Sequence, residues 1–105
     1  ELEARKTQYT HKVKPDILET YVGQYQIPAD EGEPTVVIIT REGDKLFAGT
    51  KYQEKEELHA VSDTAFVYVS PDVNVNMMFV KDRNGKVTKL MAEAEGKTYT
   101  ADRIK

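Results

Sequence analysis

The sequence predicts an all-β domain: an antiparallel up-and-down barrel of eight strands, or a strongly rolled sheet, with an open two-sheet sandwich as the alternative. Three observations carry this expectation. From Val22 onward the chain is a succession of short β-rich runs separated by turn residues at close, regular spacing. No long helical pattern interrupts them, which argues against a parallel βαβ sheet. Antiparallel strands joined by short turns would also leave vulnerable edges unless the sheet closed on itself.

Residues 1–14, ELEARKTQYTHKVK, are polar, lack a persistent apolar face, and read as a lead-in or linker. The domain proper is expected over 15–105. Pro15 suits the first position of a helix, where its missing N–H is no loss, and Asp16 favours the positive end of the helix dipole. The predicted helix is short, at about 15–20, because Val22 and Gly23 follow at once. Its Ile17, Leu18 and Tyr21 are candidates to cover one end of the core. Tyr21 and Tyr25 flank Gly23, which permits a tight bend or a close backbone approach. A tyrosine buries a large ring while its hydroxyl reaches a polar partner. The stretch therefore reads as a structural corner rather than a ligand site.

The strand candidates follow in order. VGQYQI stops at Pro28 and the acidic loop ADEGEP; TVVIITRE ends at the turn EGDK; KLFAGTKY closes in the charged run QEKEE, read as a solvated loop. LHAVS leads through DT into AFVYVS, and Pro71-Asp72 breaks the chain before VNVNMMFVKD. RNGK is a hairpin turn, since Asn-Gly supplies positive φ readily. KVTKLMAEA runs to Glu95-Gly96, and KTYTADRI ends the chain. VNVNMMFV alternates, with Val73, Val75, Met77 and Phe79 on one face, as a half-buried antiparallel strand does.

The inward residues expected from these patterns are Val22, Tyr25, Ile27, Val36, Ile38, Leu46, Leu58, Val61, Phe66, Val75, Met77, Phe79, Val87, Leu90, Tyr99 and Ile104. A barrel of this size is just wide enough to be filled by its own side chains or to hold one small ligand. The list is bulky, so a mostly filled interior is expected. If a hydrophobic ligand enters, Tyr25, Phe66, Met77 and Phe79 are its candidate contacts.

Composition limits the function classes. The chain of 105 residues is one small domain, 39% hydrophobic and 31% charged, which fits a folded, soluble unit. A net charge of −3 gives no electrostatic footprint for nucleic acid, and the basic cluster Lys6–Lys14 reads as a solvated face. The absence of cysteine excludes disulfides and thiolate chemistry. No apolar run approaches the roughly 20 residues of a membrane span. The chain begins at Glu1 rather than methionine and is read as part of a longer protein, so a targeting segment is not excluded.

Motifs that carry chemistry fail on spacing. Neither Ser62 nor Ser70 opens a Ser-x-x-Lys pattern, and no G-x-S-x-G occurs. Glu95 to Thr98, EGKT, lacks the glycine a phosphate loop needs at Met91. Asp72 to Asn76 has the first half of a calcium-loop spacing, but the required glycine falls on Met77 and the closing acid on Arg83. His11 and His59 form no zinc motif. His59 with Asp63 would make a base, and a half-exposed strand histidine is the plainer reading. No catalytic residue, cofactor or metal ligand is assigned.

Four elements together resemble a known family. They are Y-x-G-x-Y at Tyr21–Tyr25, L-x-x-V-S-x-T-x-F at Leu58–Phe66, F-x-x-D-x-x-G-K-V at Phe79–Val87, and A-x-R-I at Ala101–Ile104. The order is similar to the uncharacterised C-terminal domain appended to beta-lactamase-like serine hydrolases, from about Asp16 to Lys105. The resemblance implies a lipocalin-like barrel and an upstream hydrolase domain in the same chain as partner. It also implies secreted or periplasmic placement. The catalytic residues of that family's longer members lie in the preceding domain, and none has a counterpart here. The expectation is a non-catalytic accessory domain that shapes access to, or assembly of, a serine hydrolase. The alternative is a small hydrophobic-ligand-binding barrel.

Overall fold

The computed structural model describes residues 11–29, 31–69 and 74–105. One helical turn, α1 (Pro15–Glu19), precedes eight strands. These are β1 (Gly23–Ile27), β2 (Thr35–Glu42), β3 (Lys45–Thr50), β4 (Gln53–Ala60), β5 (Ala65–Val69), β6 (Asn74–Lys81), β7 (Val87–Ala94) and β8 (Lys97–Arg103). Each strand pairs antiparallel with its sequence neighbours, and β1 also pairs with β8. The sheet is thus a closed up-and-down barrel, the first of the expected architectures, and closure removes the edges an open sheet would expose. Bulges interrupt the β3–β4 and β6–β7 ladders and help the sheet curl.

The interior is an aromatic cluster. Tyr21 stacks on Phe79 with centroids 4.2 Å apart and planes at 5°. Phe66 meets both rings edge-on at 5.9 and 5.7 Å, and Tyr25 lies 5.8 Å from Phe79. Leu18, Ile39, Leu46, Leu58, Val87, Leu90 and Ala101 pack around them. The two tyrosine hydroxyls are satisfied inside the fold. Tyr25 donates to the carbonyl of Tyr21 at 2.8 Å, and Tyr21 donates to the carbonyl of Asp63 at 2.5 Å. Their spacing of four is therefore a structural device, in which one tyrosine orients the backbone of the other.

Gly23 is needed at this corner. A Cβ there would fall 2.2 Å from the carbonyl oxygen of Lys105, on a backbone with φ of 156°. Arg103 then ties the seam together. It donates to the carbonyls of Thr20 (3.1 Å), Val22 (2.8 Å), Val87 (3.3 Å) and Lys105 (3.1 Å).

A five-residue helix is too short to persist alone. Here α1 is held by its contacts. Pro15 opens it, Asp16 lies in its first turn, and Leu18 is buried. Arg41 binds Glu19 at 2.8 Å. Burying Leu18 contributes about 1.5–3 kcal/mol. Together with Tyr21, α1 closes the barrel end that also carries the β2–β3, β4–β5 and β6–β7 turns.

Several expectations need correction. The inward residues of β2 are Val37 and Ile39, not Val36 and Ile38. TVVIIT is apolar on both faces, so its phase is invisible in the sequence. Pairing with β1 sets it, because Val37 and Ile39 stand opposite Tyr25 and Gly23. The charged run QEKEE is not a loop but the first part of β4. Val61 lies in the β4–β5 turn and is 48% exposed, and Ile104 follows the last strand and is 46% exposed. Tyr99 keeps the phase of buried Ala101 but sits near the β7–β8 turn, at the end away from α1, and is 41% exposed. The last residues of the expected linker belong to the fold: Val13 is 7% exposed, and the Lys14 carbonyl accepts the N–H groups of Ile17 and Leu18. Ser70, Asp72 and Val73 lie outside the described residues.

Candidate functional site

The four residues nominated as ligand contacts come together in space. Tyr25, Phe66 and Phe79 are buried in one cluster, and Met77 packs against it partly buried. The rings are engaged with one another and with Tyr21, which stacks on Phe79 and meets Phe66 edge-on, and Phe79 touches the other three. Burial raises the phenol of Tyr25 to about 12 against a modest opposing pull from Arg103. Burial, and then the charge of Asp63, also raise the phenol of Tyr21. Both are held as neutral hydrogen-bond donors, which suits packing rather than proton transfer.

Two larger depressions lie on the outer wall. The first, of about 430 Å³, runs over β5–β8. Cross-strand partners share a face of a sheet. One outward row is Ala65, Met78, Met91 and Thr100, and the next is Val67, Asn76, Glu93 and Thr98. Val61 and Met78 are about half exposed, at 48% and 47%, at the border of this groove. Its floor is aliphatic, with Glu93, Asn76 and Thr98 as its polar members. The sequence did contain a signal for it. Two adjacent methionines, Met77 and Met78, break the alternation of VNVNMMF, so one of them must point outward.

The second depression, of about 280 Å³, lies on the outer wall of β1–β3. Val36 and Ile38, apolar residues of β2 turned outward, line it. The β1–β2 loop and the β3–β4 turn meet at its mouth, where Lys51 forms an ion pair with Glu33 and lies 5.0 Å from the ring centre of Tyr52. The mutual hydrogen bond raises the ammonium of Lys51 and lowers the carboxyl of Glu33.

A smaller space of about 110 Å³ at the α1 end is lined by both histidines, with Asp44, Lys45 and Glu57. Asp63, the carboxylate considered for His59, lies with Oδ1 2.8 Å from Nε2 of the other histidine, His11. This pair ties the incoming chain to the β4–β5 turn. Among the described residues, no group of three or more His, Asp or Glu is placed to hold a metal ion, and no helix is long and apolar enough to cross a membrane.

Comparison with known proteins gives no relative: no family model, no curated protein and no solved structure matches the chain.

Proposed function

We propose that this domain is a non-catalytic accessory module of a larger protein, with the outer wall of β5–β8 as its docking face. One observation carries the reading: an aliphatic groove lies open on the outer wall of β5–β8. Val61 borders the groove, and two residues on, Asp63 holds His11. A contiguous apolar depression on an outer wall is the ordinary mark of a protein contact.

The sequence resemblance supplies the partner, a beta-lactamase-like serine hydrolase domain of the same chain. The module shapes access to that enzyme or its assembly and carries no chemistry of its own. A ligand inside the barrel, the alternative, would have to displace the Tyr21 ring from its stack on Phe79.

Oxidative footprinting tests the proposal. In the parent chain, Met78 and Met91 should be protected severalfold relative to the 105-residue chain. Equal labelling overturns the docking face. The 105-residue chain should also show no esterase, amidase or beta-lactamase turnover, and turnover abolished by His59→Ala would overturn the non-catalytic role.

A further inference from the structure

We propose that the clasped depression on the outer wall of β1–β3 binds a neutral carbohydrate ring. This depression shares no lining residue with the docking face on β5–β8. Its apolar lining comes from Pro34, Val36 and Ile38. Gly49 stands opposite Ile38 in the β2–β3 ladder and adds no side chain beside it. Elsewhere the lining turns polar, with the Gln24 amide, the Thr50 hydroxyl, the Glu33 carboxylate and the Lys51 ammonium. Donors and acceptors are thus mixed around one small apolar surface.

That mixture selects a ligand class. A hydroxyl both donates and accepts, so it can pair with any of these groups. A purely apolar ligand would cover these groups without pairing with any of them. A charged ligand would have to break the Glu33–Lys51 pair, which makes the mouth electrically neutral. A pyranose has C–H groups on its faces and hydroxyls on its edge, and it satisfies both demands. Tyr52 completes the site. It is 78% exposed at the mouth, with the Lys51 ammonium 5.0 Å from the centre of its ring. Its π face suits the polarised C–H groups of a sugar. The volume of about 280 Å³ lies just below the roughly 300 Å³ at which ligand pockets usually begin, so it takes one ring rather than a buried chain.

The test is a titration of the isotope-labelled 105-residue chain followed by amide chemical shifts. The probes are glucose, N-acetylglucosamine and a linear disaccharide of each, with cyclohexanol as the apolar control. Saturable shifts at Gln24, Val36, Ile38, Thr50 and Tyr52 are expected, with a Kd on the order of 1–10 mM. Tyr52→Ala should weaken binding about tenfold while leaving the rest of the spectrum, and hence the fold, unchanged. Tighter binding of the disaccharide would point to a glycan chain as the source, and equal binding to a free sugar. No saturable shift with any sugar at about 100 mM would overturn the proposal. So would cyclohexanol binding as tightly as the sugars, or Tyr52→Ala binding sugar as well as the parent chain.

Discussion

The inside and the outside of this barrel are made from the same strands, yet they obey different rules. Inside, four aromatic rings contact one another, and both buried hydroxyls find a backbone carbonyl. Outside, Val36, Ile38, Met78 and Met91 lie on the pleat positions between the inward residues, where a solvated barrel would carry polar groups. The inner set is accounted for by packing. The outer set is not, and it lines the two depressions described on the outer wall.

The contrast can be broken by substitution, and the largest effect should be inside. Phe79→Ala removes the ring that contacts Tyr21, Tyr25 and Phe66 and should cost about 3–5 kcal/mol in denaturant unfolding. A cost below about 1 kcal/mol would mean that the cluster is not the core. Alkaline pH should come next. The unfolded phenol of Tyr25 ionises near 10.0 and the folded one near 12, so folding favours the protonated form. Its contribution is whole below pH 10.0 and is lost as pH rises through about 12. The loss is at most about 2–3 kcal/mol, less what solvent screening removes. Unfolding midpoints measured across that range, with Tyr25→Phe as the control, check it.

Gly23→Ala forces a Cβ against the Lys105 carbonyl and should cost about 1–3 kcal/mol, read in the same unfolding assay. Tyr21→Phe keeps the ring stack but leaves the Asp63 carbonyl without its donor, and should cost about 1 kcal/mol. The smallest effects should be outside. Met78→Ser and Tyr52→Ala should each change stability by less than about 0.5 kcal/mol. A larger loss at either position would assign it to the fold and sharpen the boundary between the two surfaces.

The four motif elements read from the sequence turn out to be parts of the scaffold. Tyr21, Gly23 and Tyr25 build the corner, and Phe66, Phe79, Val87 and Ala101 are core. Ser62 accepts the N–H groups of Thr64 and Ala65 at the β4–β5 turn, and Asp82 does the same for Asn84 and Lys86 at the β6–β7 turn. Arg103 staples the seam. Most of these residues were legible from a local signature, whether a turn former, a glycine or an apolar residue at alternate spacing, whereas the role of Arg103 was not. The clasp of Glu33, Lys51 and Tyr52 was not legible, since its members come from separate loops and read as ordinary surface charge.

The sequence by itself determined the number and order of the strands, the short helix at Pro15, the corner at Tyr21–Tyr25 and the fact of an apolar interior. Turn residues and period-two alternation act locally, so they leave their mark on the chain. Only the tertiary structure decided that the sheet closes between β1 and β8, that Val37 and Ile39 rather than Val36 and Ile38 face inward, and that His11 meets Asp63. Each of these depends on which strand or loop lies alongside, and a one-residue change of register exchanges the two faces of a strand. An all-apolar run such as VVII carries no record of that choice, and the two depressions of the outer wall are its consequence.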